Sequence, residues 1–409
     1  LVYTDCMKLS ELRDVASAQK ERLVSLDTGL IREDLSFLPD MQSHALIVSG
    51  IRRCGKSTIL HQFVQRSGKS FFYLNFDDLR LSGFSRADYA LLDSLVSASS
   101  SSLLFFDEIQ SAPDWELYIR QKLDEGFQVV ITRSNASLLS GELGSRLTGR
   151  HLSYELFPFS FSEYCSFRGE KRNRSSLESY LFSGGFPEYL KTGNDDILAQ
   201  LLSDILYRDI AVRHGIRDVA SLQRLFSLLL SSSAHLVSPS KLAPVIGLKS
   251  PSTILEYFSH FESSYLIQLV SRFSWSVKAQ SLSPKKLYVI DPGLVRSGSL
   301  SFSPDRGSLL ECFVFMEFRR HTKDIFYFNE GAGECDFVVH PHGASPLCVQ
   351  VCLSVSADNE SREVSGLVSA LDFFHQVEGF ILTLDSTDTI LVDGKTIHVV
   401  PAYGFDFSR

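Results

Sequence analysis

A chain of 409 residues is longer than one ordinary hydrophobic core organises, so two to three domains are expected. Its 44% hydrophobic and 22% charged residues are those of a globular protein, and no apolar run approaches the roughly 18–20 residues needed to cross a bilayer. A net charge of −8 excludes bulk attraction to nucleic acid or an anionic membrane, although local basic clusters can still hold phosphates. The seven cysteines are scattered, odd in number and without a C-x-x-C pair, a pattern that predicts reduced thiols in a cytosol, not a disulfide frame or a zinc site. Leu1 to Lys8 carries no signal-peptide pattern, which again predicts a cytoplasmic location.

From Leu9 to Asp34, Leu and Val at helical spacing beside a mixed charged face predict a helix. Short apolar runs follow at Ala45 to Val48, Ser70 to Asn75, Leu103 to Phe106, Phe127 to Thr132 and Leu152 to Leu156. Amphipathic stretches separate them, so an α/β fold is expected, with a buried parallel sheet covered by helices on both faces. The Ser97 to Ser102 tract is predicted to be a loop feeding a strand. Beyond Phe157-Pro158-Phe159 the pattern becomes helical through Glu163 to Cys165, Ser176 to Phe182 and Asp196 to Arg213, broken once by Gly184-Gly185-Phe186-Pro187. Ser238-Pro239 and Ser250-Pro251 open two short amphipathic segments, and Tyr265 to Phe273 and Lys286 to Ile290 read as strands. Helices followed by a β ribbon is the order of a winged-helix module. The remainder, from about Ser301 to Arg409, alternates again as a small α/β domain, with turns at Asn329 to Gly333 and His340 to Pro346.

Within this frame, Gly50-Ile51-Arg52-Arg53-Cys54-Gly55-Lys56-Ser57 is a complete phosphate-binding loop. In such a loop backbone N–H groups wrap the phosphates, the lysine reaches the β/γ oxygens and the Ser57 hydroxyl holds Mg²⁺. The following helix, with Thr58 in its first turn, adds its N-terminal dipole. ATP and Mg²⁺ are therefore the expected ligands. Arg52 and Arg53 are placed to touch phosphate or a partner, and Cys54 beside these cations is a candidate for a depressed thiol pKa, although a tolerated variable position is the plainer reading. Leu103 to Phe106 ends in Asp107-Glu108, the form of a buried strand whose tip carries a metal-holding aspartate and a water-polarising glutamate. At the next strand tip Asn135 is the first choice for a γ-phosphate sensor, with Thr132 and Ser134 behind it; capping a helix from Ala136 is the alternative. Arg146 and Arg150 on a glycine-flanked segment are candidates for an arginine that stabilises transition-state charge, in cis or from a neighbouring subunit.

The chain resembles a prokaryotic AAA-type (AAA+ superfamily) P-loop ATPase group that carries a C-terminal domain of unknown function. The resemblance spans nearly the whole length and rests on Gly50 to Ser57, Leu74 to Asp78, Phe106 to Gln110, Ser134 to Ala136, Ser145 to Arg150 and Phe157 to Phe161. It continues through Tyr207 to Ile210, Tyr288 to Gly293 and Glu334 to Val338. It implies an N-terminal helical segment (1–40), a P-loop core (41–160), a helical lid (161–235), a winged helix (236–300) and an end domain similar to restriction-endonuclease folds (301–409). It also implies that Lys56, Ser57, Asp107 and Glu108 take their ATPase roles. Where the family has glycine at the third strand tip, this chain has Arg133.

A restriction-type site needs a helix glutamate, an aspartate and then E-x-K; the candidates are Glu311, Asp336 and Gln350-Val351-Cys352. Gln350 is a neutral ligand and Cys352 replaces the lysine, so nuclease activity is not expected. The segment Ser252 to Ser264 has no lysine or arginine, and Lys249, Lys278, Lys285 and Lys286 nearby are the candidates for nucleic-acid phosphates. The expected function is Mg²⁺-dependent ATP hydrolysis driving a conformational switch, with dependence on self-association or a protein partner. The alternatives are a nucleotide-gated scaffold with negligible turnover and a nucleic-acid binder or nuclease using the end domain.

Overall fold

The computed structural model describes residues 7–33, 43–135, 147, 149–299, 305–330, 333–343 and 345–409. The chain divides into two compact units, Leu1–Leu156 and Phe157–Arg409. Among the described residues no helix is long and apolar enough to cross a membrane.

The first unit is built on five parallel strands: β1 (Ala45–Ser49), β2 (Phe71–Asn75), β3 (Leu103–Asp107), β4 (Gln128–Arg133) and β5 (His151–Glu155), in the order β2-β3-β4-β1-β5. Ala45 to Val48 and Leu103 to Phe106 have no exposed surface at all, which is why these runs are continuously apolar rather than alternating. Helices α1 (Leu9–Ser25), α2 (Lys56–Ser67), α3 (Tyr89–Ala98) and α4 (Trp115–Asp124) flank the sheet. On one face Leu12, Val15, Phe72, Leu92, Phe106, Tyr118 and Ile131 form a single core.

The first helix ends before the predicted one does. It stops at Ser25, and residues 26–33 run on as an irregular strap. Asp27-Thr28-Gly29 breaks the helix, Gly29 sitting at φ 56°, and the strap's carbonyls are taken up elsewhere, by the side chain of Gln62.

The second unit opens with helices Phe161–Arg168, Arg174–Ser183, Pro187–Thr192 and Asp196–Asp204. The predicted single helix to Arg213 instead passes into a π-helical stretch at Ile205–Val212. Then come a helix (Val219–Leu230), β6 (His235–Val237), two helices (Pro239–Ile246 and Pro251–Ser263), β7 (Ile267–Val270) and β8 (Lys285–Val289), the strands pairing antiparallel in the order β6-β8-β7. The three-residue β6 is too short for its pattern to show in the sequence. The end segment folds as a mixed six-stranded sheet, β13-β14-β12-β11-β10-β9. Its strands are β9 (Ile325–Glu330), β10 (Gly333–Val339), β11 (Leu347–Val351), β12 (Glu378–Thr383), β13 (Asp388–Val392) and β14 (Lys395–Pro401). The helix Glu360–Phe373 packs on it through Leu367, Ala370 and Leu371.

Candidate functional site

Parallel pairing brings the C-terminal tips of the first unit's strands level with one another. Ser49 pairs with Arg133, Asn75 with Asp107, and Phe106 with Ile131, so Thr132 follows directly beside Asp107. In open α/β sheets this is the edge where ligands bind. The phosphate loop leaves β1 here and runs into α2, whose first residue is Lys56.

The two loop glycines are required by geometry. Gly55, the residue before α2, adopts φ 105°, and a Cβ on Gly50 would stand 2.1 Å from the Leu156 carbonyl oxygen. The Leu156 N–H is itself pinned to Ser49 O at 2.7 Å, so the carbonyl cannot withdraw cheaply. Gly50→Ala is expected to lower stability by about 1–3 kcal/mol, a typical overpacking cost, and to weaken nucleotide binding. Urea unfolding and nucleotide titration of that variant check both effects.

Lys56 Nζ donates to Gly50 O and Ile51 O at 3.1 Å each and lies 3.8 Å from Glu108 Oε1. Ser57 Oγ donates to Asp107 Oδ2 at 2.8 Å, and the Tyr73 hydroxyl donates to the same oxygen at 3.0 Å. Thr132 Oγ1 donates to Asp107 Oδ1 and accepts the Glu108 N–H at 2.9 Å. Glu108, at φ 49°, accepts from Ser134 Oγ at 2.5 Å and from Gln110 Nε2. Burial and the charge of Glu108 push the Asp107 carboxyl above its ordinary range, against the pull of three donated hydrogen bonds. Burial acts upward on Glu108 too, but the Lys56 ammonium and the Ser134 and Gln110 bonds outweigh it and hold this carboxyl below the usual value. The two adjacent acids are thus shifted in opposite directions, Glu108 toward its charged form.

Of the strand-tip candidates, Thr132 and Ser134 reach the acids. Asn135 is buried one residue beyond them. The helix expected from Ala136, and Arg146, lie outside the described residues. Arg150 precedes β5, its carbonyl accepting from Ala45 N at 3.1 Å, and its guanidinium pairs with Asp124. That is the opposite end of β1 from the phosphate loop, roughly 16 Å away along a five-residue strand, so Arg150 cannot serve its own loop in cis. Arg133 is fully buried with its guanidinium 5.5 Å from the Trp115 ring. Arg52 pairs with Asp77 at 3.5 Å, exposed Arg53 takes a left-handed φ of 63°, and Thr58 is half-buried in the first turn of α2. Cys54 corrects an expectation: its thiol is wholly buried, donates to Leu156 O at 3.4 Å, and is raised by burial, which outweighs Lys56 and Arg32. The six described cysteines are all free and buried.

One residue outside the predicted candidates stands against the loop. Arg32, in the strap after α1, donates from Nη1 to Cys54 O at 2.9 Å. No periodicity or motif marks it.

In the second unit Glu311, Asp336 and Gln350 do converge, and they line a cavity of about 580 Å³ with Glu334, Arg362 and Glu363. The ammonium that fills the cluster comes from β8. Lys286 Nζ lies 2.7 Å from Asp336 Oδ1 and 2.8 Å from both Glu311 Oε1 and Glu334 Oε1. It is only 4% exposed, so it is not available to nucleic-acid phosphates as expected. Burial works against its charge, but Asp336, Glu311 and Glu334 hold it well above the ordinary lysine value. Gln350 Nε2 donates to Glu363 Oε2 at 2.8 Å, and its Oε1 accepts the Asp336 N–H at 3.2 Å. Cys352 is buried with its thiol pushed up to about 12, so it supplies neither cation nor thiolate. Lys285 is bound to Ser271 Oγ and Gln280 O.

Residues 42–165 match the family model described as an AAA domain, and residues 174–304 match a domain of unknown function (DUF8612). The uncharacterized protein MJ1544 of Methanocaldococcus jannaschii is 34% identical over 350 residues, covering 80% of this chain and 78% of that one. The chain belongs to this family of AAA-domain proteins. An uncharacterized protein of Haemophilus influenzae is 27% identical over 371 residues, covering 85% of this chain and 88% of its own. Among solved structures, AMPPCP-bound DnaA from Aquifex aeolicus aligns with 61% of this chain and 88% of its own at 13% identity and a TM-score of 0.28. A likeness of that size says nothing further about this chain.

Proposed function

We propose that the protein is a Mg²⁺-dependent ATP hydrolase whose turnover switches the state of its second unit. The observation that carries this reading is the divergence of Asp107 and Glu108: one carboxyl buried and tied to the loop serine, its neighbour kept charged beside Lys56. The donor set fits the implied ligands. Gly50 and Gly55 keep Cβ atoms away from the two ends of the loop, and the Ser57 hydroxyl and Asp107 carboxylate, 2.8 Å apart, are the hard oxygens Mg²⁺ takes. When bound, Mg²⁺ supplies neutralisation of charge on the β- and γ-phosphates.

The chain's own residues do the rest. The loop amides and Lys56 hold and orient the phosphates, and Thr132 and Tyr73 fix Asp107 so that Ser57 keeps its place. Glu108, ionised at neutral pH, accepts a proton from a water and aligns it for attack, while Ser134 and Gln110 fix its rotamer. Because Arg150 cannot reach its own loop, Arg150 of a second copy is the candidate for a charge-stabilising arginine supplied in trans. ATP turnover per chain is then expected to rise with protein concentration. Phosphate release measured across a hundredfold dilution series checks this; a constant specific rate contradicts supply in trans.

For the second unit we favour a helical lid, a winged helix and a restriction-endonuclease-like end domain without cleavage activity. Three helices with β6 between the first and second, followed by β7 and β8 in a β6-β8-β7 sheet, support the winged helix, and the mixed sheet supports the end domain. Lys286 seated among the acids, with Gln350 turned to Glu363, favours a fixed ion network over a metal centre. The helix Pro251–Ser263 carries no lysine or arginine, which favours a protein contact or spacer over duplex reading.

A further inference from the structure

The phosphate loop is held on its outer side by a segment that lies before the whole sheet. Gln62, two turns into α2 and almost fully buried, has every hydrogen-bonding edge of its amide turned to the strap. Its Nε2 donates to Thr28 O at 2.8 Å and Leu30 O at 2.7 Å, and its Oε1 accepts the Arg32 N–H at 3.1 Å. With its backbone fixed in this way, Arg32, 3% exposed, extends to the loop and donates from Nη1 to the Cys54 carbonyl at 2.9 Å. The same nitrogen lies 3.5 Å from where a Cβ on Gly55 would stand, an ordinary van der Waals distance, so Gly55 is required here by its φ of 105° and not by the guanidinium.

The bond to Cys54 O acts on the peptide unit as a whole. In a trans peptide the C=O and the next N–H point to opposite sides, so a guanidinium that fixes the Cys54 carbonyl also fixes the Gly55 N–H on the far side. A charged donor on the carbonyl polarises the unit and strengthens that N–H as a donor. In a phosphate loop this N–H belongs to the cradle that receives the anion. Arg32 therefore contributes twice, by aiming one amide and by placing a buried positive charge behind the loop.

We propose that Arg32 is a positioning residue of the nucleotide site, acting through the Cys54–Gly55 peptide, and that the strap from Thr28 to Arg32 is thereby coupled to occupancy of the loop. This rests on the nucleotide-binding reading above. Arg32 presets the loop without touching the reacting atoms, so its loss weakens binding more than turnover. Reciprocally, nucleotide held by the loop tightens the strap.

The test uses the full chain and a fluorescent ATP analogue with Mg²⁺. Wild-type protein that fails to bind the analogue defeats the nucleotide reading itself. With binding established, Arg32→Ala is expected to raise the Kd about tenfold, one charge-assisted hydrogen bond's worth, while kcat at saturation stays within about twofold. Arg32→Lys is expected to recover most of the loss, because an ammonium can still reach a carbonyl. Unchanged affinity in Arg32→Ala, or equal loss in both variants, overturns the proposal. Hydrogen exchange of wild-type protein gives a check that needs no variant: the analogue is expected to slow the Leu30 to Arg32 amides several-fold. Protection confined to Gly50 to Thr58 overturns the coupling.

Discussion

Glu108→Gln is expected to lower steady-state ATP turnover by about 10²–10⁴-fold, the usual worth of a general base, while nucleotide affinity is retained. Glutamine keeps the size of the side chain and its acceptor oxygen, so the Ser134 and Gln110 contacts can persist, but it cannot take a proton from water. Lys56→Ala is expected to fail one step earlier. It removes the ammonium that lies 3.8 Å from Glu108 and donates to two loop carbonyls, so binding and turnover fall together. Without that charge burial dominates at Glu108 and its pKa moves up, which favours the protonated form that cannot take a proton from water. Phosphate release and analogue titration of both variants separate the two patterns. Retained turnover in both contradicts the assignment.

Lys286→Met is expected to destabilise the second unit by about 3–5 kcal/mol, the cost of leaving buried charges uncompensated. The variant removes the one ammonium within 2.8 Å of Glu311, Glu334 and Asp336. The sign of its pH dependence follows from Glu311. Burial and Asp336 already push this carboxyl up to about 8, above its unfolded value, so between those values the folded state binds more protons than the unfolded one. Stability from this group is therefore present at low pH and lost as pH rises toward 8. Without Lys286 the carboxyls rise further. The deficit of the variant relative to wild type is expected to be small at pH 5 and large at pH 8, measured by thermal unfolding at both. A deficit independent of pH contradicts the ion-network account.

The phosphate loop, the acid pair and all five strands of the first sheet were legible because each is a local signal: a fixed spacing, or a buried run with no polar break. What escaped is set by register and by distance along the chain. Thr132 and Ser134 contact the acids because β3 and β4 pair Phe106 with Ile131, a register that no single strand's sequence reveals. Lys286 lies 50 residues from Asp336, so its place in the acid cluster depends on how β8 packs and not on any motif. Arg32 sits in a segment whose helical pattern runs on past Ser25, where Gly29 and the pull of Gln62 decide the outcome. The cations beside Cys54 allowed a lowered thiol pKa as the lesser of two readings; burial, invisible at that level, raises it instead.

The most direct test of ATP hydrolysis at this loop is the identity of the nucleotide recovered after stoichiometric Mg²⁺-ATP is incubated with the protein at high concentration. The account predicts ADP from the wild type and intact ATP from Glu108→Gln, with both proteins binding the nucleotide. Intact ATP recovered from the wild type, bound as tightly as in the variant, would contradict it.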